Sequence, residues 1–545
     1  MNFKDKVIYQ IYPKSFQDTT GNGFGDLKGV TSRLNYLEEL GIDYIWLTPF
    51  FISPQRDNGY DVADYRNIDP LFGTMADCEE LIEEANKRSI GIMLDMVFNH
   101  TSTEHQWFQK ALAGDPEYMD YYFFKDGTPD QPPTNWESKF GGNAWEYVPH
   151  LKKWYLHLFD VTQADLNWEN PKVREELKEI IRFWKNKGVK GFRFDVVNLI
   201  SKPEVFESDK VGDGRRFYTD GSKVHAYLKE LVADTQIENM VTVGEMSSTT
   251  LEHCIRYSNP KEKELSMCFN FHHLKVDYKD GNKWEIMQPD FKALKTLFYN
   301  WQLGMQENEG WNALFWCNHD QPRVVSRLGD DENYWKESAK MLATCIHMMQ
   351  GTPYIFQGEE IGMTNAKYTD ISQYCDVESK NYYEIMLRNG KTKEEALAIL
   401  GARSRDNSRT PMQWNSGDHA GFSNSTPWLS IPENYKAINV EIEQNDADSI
   451  LAYYKKLIQI RKEHPAISEG KIEFIYKDHP EILAYKRSFG DEEILVLNNL
   501  GRNHTRLTAD LQLESYEKIL GNYEKADHAK ELEPFEAIIY RRVKR

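Results

Sequence analysis

Eight short apolar runs recur along the chain, and their spacing limits the fold more than any other feature. They are VIYQIYP (7–13), YIWLTPF (44–50), GIMLDMVFNH (91–100), GFRFDVVN (191–198), MVTVGEM (240–246), LSMCFNF (265–271), ALFWCNHD (313–320) and TPYIFQGEE (352–360). The runs are continuous rather than alternating, as strands covered on both faces are. Helical segments lie between them. In NPKVREELKEIIRFWKNKG, Asn170 suits an N-cap, Pro171 the first turn and Gly188 the stop, and Ile180, Ile181 and Trp184 mark one apolar face. Strand and helix alternating eight times predict an α/β fold, a (β/α)8 TIM barrel.

Two gaps break the rhythm. Residues 101–168, between the third and fourth runs, are rich in Trp, Tyr, Gly and Pro and read as a lobe inserted after strand 3. A second insertion covers 361–415. From 470 the texture becomes short strands and turns, which predicts a C-terminal antiparallel β-sandwich over 470–545. The barrel would then comprise 1–100 and 169–469.

The formal net charge of −19 argues against a nucleic-acid or anionic-membrane partner, since both need a basic face. The basic end, Arg541, Arg542, Lys544 and Arg545, reads as a solvated tail. Six cysteines form no C-x-x-C pair or zinc spacing, which fits free thiols in a reducing compartment. No apolar leader opens the sequence and no run is long enough to span a bilayer. A cytoplasmic protein is expected.

Functional residues of such a barrel sit at the C-terminal ends of its strands, and here those ends are polar. The third run ends in Asn99-His100, the fourth carries Arg193 and Asp195, the fifth Glu245, and the seventh His319-Asp320. Three carboxylates converging on one mouth suit glycosidic cleavage, in which one stays ionised and another holds a proton for the leaving oxygen. Arg193, two residues before Asp195 on one strand face, would keep that Asp ionised and oriented. Asp195 is therefore the candidate nucleophile. Glu245, flanked by VTVG and MSS, is the candidate for a raised pKa and the acid role.

DMVFNH, GFRFDVVN, VGEM and NHD, in that order, resemble the four signature regions of the α-amylase superfamily of glycosidases. The resemblance implies Asp195 as nucleophile, Glu245 as general acid/base and Asp320 as the carboxylate that holds substrate hydroxyls. It places Arg193, His100 and His319 in the same sugar subsite, and DNGYD adds Asp57 and Tyr60. Retention of configuration is implied, with the catalytic carboxyls about 5–5.5 Å apart. RDNSRTPMQW (405–414) and DLNWEN (165–170) resemble the oligo-1,6-glucosidase group and add Arg405 and Gln163, with Phe140 of KFGG walling the mouth. Val196 after the nucleophile goes, in that group, with bonds other than α-1,4.

DTTGNGFGD sets Asp18, Thr20, Asn22 and Asp26 at alternate positions, with the Phe24 carbonyl between. Alternating oxygens in a glycine-bearing loop suit a structural Ca²⁺, and related glucosidases carry a similar loop. The alternative is a set of Asx turns with no ion. No cofactor is expected for catalysis.

FNFHHLKVDYKD (269–280) would follow the sixth strand on the active-site face. Close oligo-1,6-glucosidases carry an acidic residue where this chain has His272, His273 and Lys275. A phosphomonoester, with a charge of about −1.5 to −2 at pH 7, would call for such donors. GDGRRFYTDG (212–221) and VTVGEMSSTT (241–250) resemble the trehalose-6-phosphate hydrolase branch. That resemblance implies a retaining hydrolase cleaving α,α-trehalose 6-phosphate to glucose and glucose 6-phosphate. Lys275, helped by Lys283, His272 and His273, would receive the phosphate; Arg215 and Arg216 are further candidates. The partner would be a small phosphorylated disaccharide, and the protein a monomer or weak homo-oligomer. An oligo-1,6-glucosidase whose basic loop is merely solvated is the alternative.

Overall fold

The computed structural model describes residues 3–508, 511–524 and 530–544. All eight apolar runs supply a strand to one parallel sheet: β1 (Ile8–Ile11), β2 (Tyr44–Leu47), β3 (Gly91–Met96), β4 (Gly191–Phe194), β5 (Val241–Glu245), β6 (Met267–Phe269), β7 (Ala313–Leu314) and β8 (Thr352–Phe356). β1 pairs with both β2 and β8. A parallel bridge between Cys268 and Asn312 closes the ring beside β6 and β7. Nearly every strand residue is buried, which is why the runs are continuous in the sequence: helices cover the outside and side chains fill the inside.

The helix Pro171–Asn186 shows the local logic. The Asn170 side chain accepts the Lys172 N–H, Pro171 occupies the first turn, and Val173, Leu177, Ile180, Ile181 and Trp184 form the buried stripe. Gly188, at φ +95°, takes the left-handed conformation just past the end.

Between β3 and that helix lies the lobe. A three-stranded antiparallel sheet (Phe124–Asp126, Trp145–Val148, Lys153–Leu156) and a ribbon pairing His100–Ser102 with Gln163–Asp165 build it. A buried ion pair clasps it to the barrel. Lys202 Nζ lies 2.7 Å from Asp165 Oδ2 and also donates to Asn99 Oδ1 and the Leu199 carbonyl. The segment after β8 forms helices Val377–Arg388, Lys393–Arg403 and Asp406–Arg409 around a small core of Tyr374, Tyr383, Met386, Ile399 and Leu400.

The C-terminal unit is a five-stranded antiparallel sheet of β9 (Lys471–Ile475), β10 (Ile482–Phe489), β11 (Glu492–Asn499), β12 (Glu517–Gly521) and β13 (Ala537–Val543), in the order β9-β10-β11-β13-β12. Alternation decides its faces. Tyr485, Ile494, Val496 and Ile539 join the barrel's core, and Ala484, Leu495, Leu497 and Ile538 pack beneath Leu507 and Leu532. Among the described residues the second layer is the ribbon of Thr505–Arg506 with Glu531–Leu532.

The basic end is not a solvated tail. Arg541 and Arg542 lie in β13, where Arg541 pairs with Glu492 and Arg542 with Glu493, and Lys544 also reaches Glu493. Cross-strand register sets Arg542 directly opposite Glu493, while Arg541, opposite Ile494, reaches Glu492 diagonally. Arg545 lies outside the described residues. Five of the six cysteines are buried, Cys375 is exposed, and all are free thiols. Among the described residues no helix is long and apolar enough to cross a membrane.

Candidate active site

Arg193 of β4 organises the barrel mouth. Its Nη1 lies 2.6 Å from Asp195 Oδ1 and 2.7 Å from Asp95 Oδ1, and its Nη2 contacts Glu245. One guanidinium therefore spans the two carboxyls read as catalytic, and the apolar flank that the sequence suggests for Glu245 is replaced by a cation. The strands arrange this: Arg193 lies in β4, Asp195 follows directly after its last residue, and Glu245 ends the adjacent β5. Val196, next in the chain, sits at φ +36°, ψ +38°. A β-branched residue there is strained, a cost of about 1–3 kcal/mol that structures tolerate mainly at functional sites.

Asp95 joins the site from outside the expected set. It is fully buried, and Trp46 Nε1 and Tyr60 Oη donate to its Oδ2. Burial raises its pKa, opposed by Arg193 and reinforced by the Asp195 charge. With Arg193, Trp46 and Tyr60 all donating to it, an added proton would face donors, so we assign the ionised form. An acid inside the apolar run GIMLDM is the signal that reveals it.

Beside this centre lies a second network. Asp320 accepts from Arg405 Nη1 (3.3 Å) and Arg409 Nη2 (2.8 Å). Burial raises its pKa, but His319, Arg405 and Arg409 together hold it well below the usual carboxylate range. Arg405 also reaches Asp57 (3.1 Å) and the buried Asp376 (2.5 Å), and stacks on Phe140. Burial pushes Asp57 up to about 7 against the pull of Arg405 and Arg409. Gln163 donates to Asp57 Oδ2 and the Tyr60 carbonyl, and His100 shares that carbonyl. The Tyr60 ring stacks on His319. The side-chain amide N–H of Gln10 in β1 donates a hydrogen bond to His319 Nδ1 at 2.8 Å, which leaves Nε2 as the N–H, 3.2 Å from Asp320. Asp57, Tyr60, His100, Phe140, Gln163, Arg193, Asp195, Glu245, His319, Asp320 and Arg405 thus form one connected site. Gln10, Asp376 and Arg409 join it unannounced; Arg409 stands in the same RDNSR stretch as Arg405.

A cavity of ≈ 220 Å³ opens over Glu245 and Asp320, and Lys275, Lys283, Ser247, Phe140 and Glu378 are among its walls. The basic loop divides here. Neither histidine lines the cavity. His272 Nε2 bonds the Thr249 carbonyl and its ring stacks on Trp301; His273 Nε2 bonds the Phe315 carbonyl. Burial lowers the pKa of both, His273 to about 4, so these rings anchor the loop as neutral groups. Lys283 lines the cavity but pairs with Glu378 at 2.6 Å. Lys275 lines it with no ion pair among the described residues. Burial first, and Arg215 second, lower its pKa. Arg216 turns away to Asp209.

The family described as "Alpha amylase, catalytic domain" matches residues 10–470, and "Maltogenic Amylase, C-terminal domain" matches 472–535. The chain belongs to the α-amylase family. It is 53% identical over 540 residues to the trehalose-6-phosphate hydrolase of Escherichia coli (strain K12), covering 98% of each chain. It is 45% identical over 555 residues to an oligo-1,6-glucosidase of Parageobacillus thermoglucosidasius, covering 99% of this chain and 98% of the other. The crystal structure of Bacillus licheniformis trehalose-6-phosphate hydrolase superposes with a TM-score of 0.94 at 54% identity, over 99% of this chain and 100% of that one. The protein is a glycoside hydrolase.

In this α-amylase barrel the glycine-bearing loop keeps its shape through its own donors. Asp18 accepts from the N–H groups of Thr20, Gly21 and Gly23 and the hydroxyls of Thr20 and Ser423. Burial raises its pKa, and these bonds outweigh that to hold it low. Asp26 caps the helix Leu27–Ser32, and Asn22 accepts from Phe24 N–H. The donor set of carboxylates, amide, hydroxyl and carbonyl is one a hard cation takes.

Asp277 positions the Lys275 loop. Arg327 grips its carboxylate with two bonds of 2.8 Å, and Arg403 contacts the same carboxylate and the Asp277 carbonyl. All three side chains are almost completely buried. Burial raises the Asp277 pKa, but the two arginines outweigh it and leave the folded value below the unfolded one. The contribution to stability is therefore complete above the unfolded carboxylate pKa, about 3.9, and is lost as pH falls through the lower folded value. Asp277→Asn leaves two arginines uncompensated and should lower stability at pH 7 by about 3–5 kcal/mol, read by denaturant unfolding. An unchanged midpoint would show that the clamp carries no load.

Proposed function

We propose that this glycoside hydrolase cleaves α,α-trehalose 6-phosphate to glucose and glucose 6-phosphate with retention of configuration. The observation that carries the reading is Lys275, an unpaired cation in the cavity over Glu245 and Asp320. A neutral disaccharide has no use for it; a phosphomonoester beyond the scissile bond does. The similarity to trehalose-6-phosphate hydrolases supports the same reading.

Glucose occupies the deep subsite of Asp57, Tyr60, His100, Arg193, His319 and Asp320. Three carboxyls crowd one guanidinium, so a shared proton is favourable. Keeping a carboxyl of ordinary pKa near 4.3 protonated at pH 7 costs about 4 kcal/mol, comparable with burying an uncompensated charge. Asp95 is saturated with donors and Asp195 sits on Nη1 of Arg193. Glu245 contacts the guanidinium as well, but of the three it is the carboxyl that lines the cavity where the leaving group lies, and so it takes the proton as general acid. Glu245 protonates the glycosidic oxygen as Asp195 attacks the anomeric carbon, and glucose 6-phosphate leaves. Water, losing its proton to Glu245, then cleaves the glucosyl ester on Asp195. A cytoplasmic location belongs to this proposal and is supported by the free cysteines.

A structural calcium ion held by Asp18, Thr20, Asn22, the Phe24 carbonyl and Asp26 is a companion proposal, remote from the chemistry. It is supported by the donor chemistry alone. Calcium should then raise the thermal midpoint relative to EDTA by a few degrees, since an ion at a hundredfold its Kd stabilises by about 2.7 kcal/mol. Asp18→Asn should abolish the shift, and identical midpoints in the parent protein would remove the ion.

Glucose release from equal concentrations of trehalose 6-phosphate, trehalose and isomaltose tests the substrate, with Asp195→Asn as blank. A strong preference for the phosphorylated sugar is expected. Equal or faster turnover of isomaltose would make the chain an oligo-1,6-glucosidase. Lys275→Ala should lower kcat/KM for the phosphorylated substrate about ten- to hundredfold, the range of one hydrogen bond to a charged group. No loss would sink the phosphate assignment.

A further inference from the structure

Lys139 lies in the inserted lobe, in the KFGG stretch beside Phe140. A tight hairpin holds it. Glu137 bridges Asn143, Ser138 N–H donates to the Gly142 carbonyl, and Gly141 and Gly142 turn the chain at φ +92° and +87°. Lys139 N–H itself donates to the Leu158 carbonyl. Its position is therefore built rather than flexible. Its ammonium, half-buried, donates to Ser247 Oγ at 3.2 Å, and Ser247 is a wall of the cavity that holds Glu245 and Lys275. Among the described residues Lys139 has no carboxylate within ion-pair distance.

Charge makes this arrangement informative. Lys139 feels the positive fields of both Arg215 and Lys275, and Lys275 feels that of Arg215. Of these three cations Lys275 lines the cavity, Lys139 meets its wall through Ser247, and the nearby acid Asp213 pairs with Arg215. Burial and the Arg215 charge together bring the Lys139 pKa down to about 8. Like charges gathered in a recess are unfavourable until an anion enters. Ser247 gives Lys139 a neutral partner, and Asp213 and Asp165 answer its charge only from beyond ion-pair distance.

We infer that Lys139 is a second phosphate-binding cation, closing on the substrate phosphate from the lobe while Lys275 closes from the barrel. The inference rests on the phosphorylated substrate proposed above. It assigns a reason for the lobe to overhang this side of the mouth: one lysine alone matches half of a dianion, and two from separate elements match its charge and fix its position.

The experiment compares kcat/KM for trehalose 6-phosphate with that for p-nitrophenyl α-glucoside, an uncharged aryl glucoside. The proteins are the parent, Lys139→Met, Lys139→Arg and Lys275→Met. Lys139→Met should lower the ratio of the two constants by roughly tenfold or more, mainly through KM, and weaken inhibition by glucose 6-phosphate in parallel. Lys139→Arg, keeping the charge, should restore most of the ratio. If Lys139→Met leaves the ratio unchanged, or lowers both constants equally, Lys139 has only a structural role and the inference fails. A fall in the ratio with Lys275→Met but not Lys139→Met overturns this inference and leaves the substrate standing. A parent enzyme with no preference for the phosphorylated sugar overturns both.

Discussion

The site depends on a single buried cation. Arg193 touches Asp95, Asp195 and Glu245, three carboxyls from three neighbouring strands, at the one place where β3, β4 and β5 present the same face. A guanidinium suits this because its planar fork holds fixed directions and its charge does not titrate away. Without it, the carboxyls would repel one another in a recess that excludes water. The surrounding rings answer the same need: Trp46 and Tyr60 lie under the guanidinium and each spends its polar hydrogen on Asp95.

Around that centre the long loops add a second layer of paired charge. Arg405 and Arg409 from the segment after β8 neutralise Asp320, Asp57 and Asp376, drawing together residues more than three hundred positions apart. The lobe is tied down by the Lys202–Asp165 pair and delivers Gln163 and Phe140 to the same mouth. The Lys275 loop is gripped from behind by Arg327 and Arg403. The Lys202–Asp165, Arg327–Asp277 and Arg403–Asp277 pairs are buried, and a buried pair fixes geometry more than it adds stability. In the cavity wall Lys283 and Arg405 have carboxylate partners, and Lys275 has none among the described residues.

Much of this was legible in the chain. The continuous apolar runs gave the strands because a strand buried on both faces cannot alternate. Asp195, Glu245 and Asp320 were visible because polar residues at the ends of such runs must face the mouth. Asp95 carries a weaker signal, a lone acid within GIMLDM. The histidines misled for a different reason. Imidazole is an apolar ring with a polar edge, and HHLK looks the same in one dimension whether that edge meets a phosphate or a carbonyl. Phe315, Thr249 and Trp301 claim both rings, and those partners come from distant parts of the chain.

The sequence by itself determined which residues could be strand, helix and carboxylate, and so the barrel, the order of its strands and the class of chemistry. These follow from periodicity and local spacing, which a chain carries whatever it later touches. Only the tertiary structure decided which charges are spent and which are left over. Lys283 and Arg216 are consumed by Glu378 and Asp209, the basic end is consumed by Glu492 and Glu493, and Lys275 and Lys139 have no carboxylate partner among the described residues. Whether a cation is paired depends on contacts that close through space, and linear order does not carry that distance.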